Sequence, residues 1–299
     1  MTINSVERAG YCFDDRFPEA SDFYAEVIDG LNQSPMRIPP KFFYDELGSK
    51  IFDSICQSEE YYPTRTETKI LRDNIDAIGA CLGTGCLLVE PGSGNSKKVR
   101  ELMDAIKPHT YIPMDISQKY LQKEAKKIAH EYPWLNVHAI CTDYTSEIDL
   151  SLHNHTQHRI AFFPGSSIGN FEPEDALEFV STIARMVGKN GGLLIGVDLQ
   201  KDVGRLESAY NDSAGHTAAF NQNLLTRINR DLGANFDISG FQHRAFYNAA
   251  KSRMEMHLVC VRAQQIRIAE HRFEFNVGDD IHTECSYKYT VSGFQQLVQ

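Results

Sequence analysis

No run in this sequence approaches the roughly 20 apolar residues that cross a bilayer, and its start, MTINSVERAGYCFDDRF, has neither the basic n-region nor the apolar core of a secretory signal. A cytoplasmic protein is expected. Cysteine pairing is also missing. The seven cysteines, Cys12, Cys56, Cys81, Cys86, Cys141, Cys260 and Cys285, are odd in number and scattered, without a C-x-x-C pair or a histidine at metal-ligand spacing. Reduced structural thiols are expected, and no metal. The cluster His153, His155 and His158 is better accounted for by a solvated loop than by a metal site. Positive charge is in deficit: forty acidic against thirty basic residues give a net charge of −10, which repels a phosphate backbone. The lysine-dense stretch QKYLQKEAKKIAHE carries its own glutamates and reads as a solvated helix face. Nucleic acid and membrane are therefore excluded as expected partners. Internal repeats and low-complexity tracts are absent too.

What is present is a chain of 299 residues, 42% hydrophobic, enough to bury a full core. From Thr64 a helix is expected, with Thr64 and Glu67 as a capping box and Ile70, Leu71, Ile75 and Ile78 at helical spacing. The run CLLVE then ends in PGSGNSKK and KKVRELMDAI resumes helical periodicity, giving strand, glycine turn and helix. The alternation continues through TYIPMD, SQKYLQKEAKKIAHEY, NVHAICTD, RIAFFPG, PEDALEFVSTIARMVG and GGLLIGVDL. Nearly continuous apolar strands separated by helices indicate a parallel sheet covered on both faces. An α/β fold follows, doubly wound over 64–198.

Outside that block the texture changes. DVGRLESAYND and HTAAFNQNLLTRINRDLG read as helices, and SRMEMHLVCVR and HRFEFNV as antiparallel strands. The first 63 residues, with helices expected around Ala20–Leu31 and Ser49–Cys56, are assigned with this later insertion to a second, α+β module. That module is expected to cap the carboxyl ends of the parallel strands, where open α/β sheets bind ligands.

In Glu90-Pro91-Gly92-Ser93-Gly94-Asn95-Ser96 the glycines let the backbone approach a ligand at a helix N-terminus. By itself such a turn serves a dinucleotide, S-adenosylmethionine or no ligand at all. Two details favour S-adenosylmethionine. Lys97 stands where a dinucleotide site has its third glycine, and the carboxylate of Glu90 would repel a pyrophosphate. Asp115, 25 residues after Glu90, ends the second strand where an acid accepts ribose hydroxyls, and Asp143 ends the third, where it can accept the adenine amino group. Either aspartate alone could as well cap a helix. Three acids ending three successive strands weaken that account.

Longer motifs then stand out: KFFYDELGSKIFDSICQSEEYYPTR at 41–65, EPGSGNSKK at 90–98, YIPMDIS at 111–117, FFPGSSIGNF at 162–171, then DLQKD, SAYND and HTAAFN between 198 and 221, and RMEMHL and TECSYKY near the end. In this set and order the chain resembles the histidine-specific Nα-methyltransferases of ergothioneine biosynthesis, a branch of the S-adenosylmethionine-dependent methyltransferases. The resemblance implies a Rossmann-like methyltransferase domain, 64–198 with 285–299, and a substrate-binding module, 1–63 with 199–284. It implies that free L-histidine is methylated on its α-amino group, through to the trimethyl product hercynine, with S-adenosylmethionine as cosubstrate; a monomer without a metal is expected. For the cofactor it points to Tyr44, Gly92, Lys98, Asp115, Asp143 and Tyr144. For the amino acid it points to Asn170 and Tyr210 at the carboxylate, Tyr61 and Gly165 lining the pocket, Phe52 near the amine, and Met256, Glu284 and Ser286 around the imidazole.

The chemistry of these residue types agrees. An amide and a phenol bind a carboxylate without adding formal charge beside a sulfonium, and Glu284 with Ser286 can accept from and donate to the two imidazole nitrogens. Methyl transfer is an in-line displacement in which positioning is the main contribution. The sequence offers no buried histidine or lysine as base, and Tyr44, acting through water, is the expected proton acceptor beside Phe52 at the reacting amine. The resemblance also implies a further strand and hairpin, about twenty residues by mean strand lengths, beyond the VSGFQQLVQ helix at which this sequence stops. Three rival readings remain: another free amino acid or a thiolated histidine as acceptor, a non-catalytic binder of the same ligands, and a nicotinamide dehydrogenase. An indole would leave Glu284 unpaired, and the missing third glycine opposes the dehydrogenase.

Overall fold

Local chemistry sets the element ends before packing does. Pro173 opens one helix with Glu174 and Asp175 in its first turn, Gly188 closes it at φ 74°, and Ala176, Phe179, Ile183 and Met186 fall on its buried side. Asp45 caps another by accepting from the Gly48 N–H at 2.7 Å. The computed structural model describes residues 10–16, 20–145, 150 and 158–299. Along the chain run β1 (Tyr11–Asp15), α1 (Ala20–Leu31), α2 (Glu46–Ile55), α3 (Tyr62–Asp73), α4 (Ile75–Leu82), β2 (Leu87–Pro91), α5 (Lys97–Ile106), β3 (Thr110–Asp115), α6 (Gln118–Glu131) and β4 (Asn136–Cys141). There follow β5 (Arg159–Phe163), α7 (Pro173–Val187), β6 (Gly192–Ile195), α8 (Val203–Ala209), α9 (His216–Leu232), β7 (Phe241–Asn248), β8 (Arg253–Cys260), β9 (Gln264–Ile268), β10 (His271–Phe275), β11 (Asp280–Tyr287) and α10 (Val291–Leu297). Among the described residues no helix is long and apolar enough to cross a membrane.

The chain divides into two compact units. The first comprises residues 1–17, 63–197 and 291–299 and contains a six-stranded sheet in the order β1-β4-β3-β2-β5-β6, every neighbour parallel. This is the Rossmann-like α/β fold. The order reverses between β2 and β5, so the carboxyl ends of those two strands mark the switch point at which such sheets bind ligands. Leu88, Tyr111, Val137 and Phe162 from the strands pack with Val99, Leu102, Met103, Leu121 and Ile128 from the helices in one core.

The second unit comprises residues 18–62 and 198–290. It holds the antiparallel sheet β11-β8-β7 and the hairpin β9-β10, with α9 lying against β7 and β8 and against α2. Phe43, Phe220, Leu224, Met254, Leu258 and Ile281 are among its fully buried side chains.

Four features differ from expectation. Residues 11–15, assigned to the second module, form an edge strand of the parallel sheet, paired with β4 from Tyr11↔Val137 to Asp15↔Cys141. Residues 285–290, assigned to the methyltransferase domain, belong to the second unit because β11 continues through Tyr287 beside β8. The expected single helix from Thr64 begins at Tyr62 and is interrupted at Asn74, so Thr64 lies inside α3 and forms no capping box. Of the three clustered histidines, His153 and His155 lie outside the described residues, while His158 Nε2 is 2.8 Å from the Leu82 carbonyl at the end of α4.

Candidate functional site

In the first unit, β2 runs buried into the glycine turn. Gly92 adopts φ 66° and Gly94 φ 50°, a region where a side chain is strained, and a Cβ on Gly92 would come within 3.2 Å of the Tyr144 ring. Asp115 sits under the turn: Oδ2 accepts from the Gly94 N–H at 3.0 Å and Oδ1 from the Ser117 N–H at 2.9 Å. Burial raises its carboxyl against these amides, which pull the other way. Asp143 lies past β4, with Oδ1 accepting from Thr145 N–H at 3.0 Å and its hydroxyl at 2.6 Å. Tyr144 meets Phe163 and Phe179 edge-on. Glu90 is only 2% exposed and its carboxylate is engaged by the Tyr111 hydroxyl rather than bare at the turn. Burial raises it to about 8, opposed by Tyr111 and Lys98.

Lys98 and Gly165 come together through a residue that the sequence reading placed elsewhere. Glu67 pairs with Lys98 Nζ at 2.5 Å and accepts the Gly165 N–H on both oxygens at 2.9 Å. A Cβ on Gly196 would lie 1.7 Å from Glu67 Oε1, so the carboxylate fills the space that glycine leaves. Gly165 itself, at φ 88°, follows β5 at the switch point. Asn170 ends the turn Ser167–Asn170 in the same unit.

The second unit gathers the other predicted residues. Tyr44, Phe52, Tyr61 and Tyr210 form a row of edge-on rings with centroid separations of 5.7, 6.3 and 6.5 Å, and Phe220 lies against both Tyr44 and Phe52. The loop bearing Tyr44 is tied down by its neighbour Asp45, which accepts from Asn223 at 2.9 Å and Arg230 at 2.8 Å on α9. On the paired strands Glu284 stands opposite Met256 and Ser286 opposite Met254. Because side chains alternate along a strand, Glu284, Ser286 and Lys288 project to one face and Cys285 and Tyr287 to the other. Burial raises the Glu284 carboxyl to about 7, with Lys288 acting against it. The Tyr61 phenol is pushed well up, first by burial and then by Tyr210, Cys56, Tyr44 and Glu284 nearby.

Lys288 is the residue that sequence reasoning missed, and it corrects the expectation of no buried lysine. It is 2% exposed, and its ammonium contacts Ser286 Oγ at 2.9 Å, Tyr210 Oη at 3.1 Å and Asp198 Oδ2 at 3.2 Å. Asp198 in turn accepts from Tyr62 and Lys201, both at 2.5 Å. The alternation E-x-S-x-K in TECSYKY was the available signal. Among the described residues no three His, Cys, Asp or Glu side chains assemble as a metal site.

Two features of the glycine turn bear on a ligand. The Ser93 hydroxyl is buried without a hydrogen-bond partner among the described residues, and Gly94 has open space where a Cβ would be. Comparison with known proteins then identifies it. The family model described as histidine-specific methyltransferase, SAM-dependent, matches residues 23–299. The chain is 42% identical over 270 residues to the histidine N-alpha-methyltransferase of Mycolicibacterium smegmatis, covering 88% of this chain and 83% of that one. It is 39% identical over 271 residues to that of Mycobacterium tuberculosis, with the same coverage. Ergothioneine biosynthesis protein 1 of Neurospora crassa is 31% identical over 242 residues, 74% of this chain and 28% of the longer protein. The acids ending the strands, the open glycine turn with its unpartnered hydroxyl and the absence of a third glycine all fit S-adenosylmethionine, and the chain belongs to the S-adenosylmethionine-dependent, histidine-specific methyltransferase family.

Proposed function

We propose that this chain methylates the α-amino group of free L-histidine, repeatedly, to the Nα-trimethyl product. The observation that carries the reading is the face on which Glu284, Ser286 and Met256 meet beside the Tyr61 and Tyr210 rings. S-adenosylmethionine supplies an electrophilic methyl group when bound. Asp115, its carboxylate anchored on two backbone amides, keeps lone pairs for ribose hydroxyls, and Gly92 and Gly94 allow the turn to approach closely. In the second unit Glu284 accepts the imidazole N–H, Ser286 donates to the other ring nitrogen, and Tyr210 donates to the carboxylate. Tyr61 and Phe52 wall the pocket, and Tyr44 takes the amine proton through water. An amine held only through its neighbours stays free to rotate, so successive methyls can be added.

The test is mass spectrometry of products formed from the twenty amino acids together with S-adenosylmethionine. Histidine carrying three added methyls is expected. Accumulation of the monomethyl species with excess cofactor would overturn the trimethyl assignment, and methylation of another amino acid in preference would overturn the substrate.

A further inference from the structure

The cation of Lys288 has no direct role in the reading above, although the residue is only 2% exposed. An ammonium has three protons and no acceptor, and here its three partners are Tyr210 Oη, Ser286 Oγ and Asp198 Oδ2. Neither hydroxyl can point its own proton back at the cation, so each must aim it elsewhere. The Tyr210 backbone is fixed as well, because its carbonyl accepts from His243 Nε2 at 2.9 Å, while His243 Nδ1 accepts from the Asn221 amide at 2.9 Å. The lysine charge is balanced by Asp198, which also accepts from Lys201 and Tyr62.

We propose that Lys288 is a positioning residue for the amino-acid substrate: by donating to both Tyr210 Oη and Ser286 Oγ it fixes both hydroxyls as donors, one for the carboxylate and one for the unprotonated imidazole nitrogen. The inference rests on the histidine reading. It adds a specificity element, since the ring must then be neutral, with its N–H toward Glu284 and its lone pair toward Ser286. A ring with donors at both nitrogens turns an N–H against the Ser286 O–H, where neither group can accept.

The experiment compares the parent with Lys288→Met and Lys288→Gln, in steady state with histidine and by calorimetry with S-adenosylmethionine alone. In Lys288→Met both hydroxyls regain rotation, and loss of two oriented hydrogen bonds should raise the histidine KM about thirtyfold. kcat and the cofactor Kd should stay within about threefold, less than one typical hydrogen bond contributes. Lys288→Gln, which can still donate, should fall between. In a Tyr210→Phe/Ser286→Ala background, Lys288→Met should cost nothing further. A histidine KM within threefold of the parent overturns the proposal, as does an equal loss of cofactor and histidine affinity in both variants, or a full additive loss in the double background. Whether the parent methylates histidine at all tests the underlying reading separately.

Discussion

The two units hold their candidate residues by different means. In the first, backbone does most of the holding: Asp115 rests on the Gly94 and Ser117 amides, and Gly92, Gly94 and Gly165 all have positive φ. In the second, side chains hold side chains, through the row Tyr44, Phe52, Tyr61, Tyr210 and the cluster around Lys288 and Asp198. The glycine turn is set by a few consecutive residues, and the positive φ of its glycines disfavours a side chain. Side-chain sites draw on distant positions and can be retuned one residue at a time.

The comparison predicts its largest effect at the glycine turn. Gly92→Val places a branched side chain at φ 66°, against Tyr144, and should abolish S-adenosylmethionine binding by calorimetry. Asp115→Ala should weaken it well over tenfold by stranding the ribose hydroxyls and the two amides. If Asp115→Ala binds within about threefold of the parent, below a single hydrogen bond's usual contribution, the backbone-built site does not hold the ribose.

This difference also explains what the sequence showed. The parallel strands β2 to β6 and the glycine turn were legible because each lies within a short apolar run or a single loop. Strand β1 was not, because Tyr11–Asp15 is an edge strand only partly buried and has no continuous apolar pattern. Glu67 was misread because the spacing to Thr64 imitates a capping box, whereas its partners Lys98 and Gly165 lie 31 and 98 positions away. Within the second unit, Tyr44 and Glu284 are separated by most of the chain, so their association came only through the family resemblance. Lys288 carried a strand alternation but no rule from charge to role.

The next effect belongs to the side-chain site. Glu284→Ala should lower kcat/KM for histidine about a hundredfold, the 2–3 kcal/mol typical of a charge-assisted hydrogen bond. It also removes the carboxylate that an indole would strand and opens space beside Met256, so tryptophan should gain as histidine loses. Equal loss of both substrates would mean that Glu284 supports the strand pair rather than reading the side chain.

A smaller effect is read out by pH. Glu90 is raised to about 8 by burial, so the folded chain keeps a proton that the unfolded chain releases near its ordinary carboxyl value. Its stabilising contribution is complete below the unfolded value and is lost as pH rises through about 8. His138, His243 and His282 are lowered by burial and act in the opposite direction, their contribution complete only once the unfolded imidazoles, with an ordinary value near 6.5, have lost their protons by about pH 7.5. Between about pH 6.5 and pH 8 the Glu90 contribution to the stability of the ligand-free protein should fall by about 2 kcal/mol, at no more than about 1.4 kcal/mol per pH unit. Glu284, raised to about 7, adds in the same direction. Glu90→Gln should flatten the slope in urea unfolding; an unchanged slope would place the proton elsewhere.

The smallest effect probes a side-chain clamp inside the backbone-built unit. Glu67 and Lys98 are each about four-fifths buried, and the carboxylate that holds Lys98 also takes the Gly165 amide. Glu67→Gln keeps an acceptor for the amide but loses the charge that fixes the lysine, a change of about 1 kcal/mol for a partly exposed pair. If Lys98 reaches the cofactor, as the family resemblance implies, the S-adenosylmethionine Kd should rise about fivefold, with little change in histidine KM. Lys98→Met should give a loss of similar size, and the two changes combined should be less than additive because they remove one interaction. A loss in Glu67→Gln as large as in Gly92→Val would break the contrast between the units, since the first would then depend on a side-chain pair as strictly as on its glycines. Equal damage to histidine KM would instead mean that Glu67 acts by shaping the chain after β5, through the Gly165 amide, and that Lys98 is its counter-charge alone.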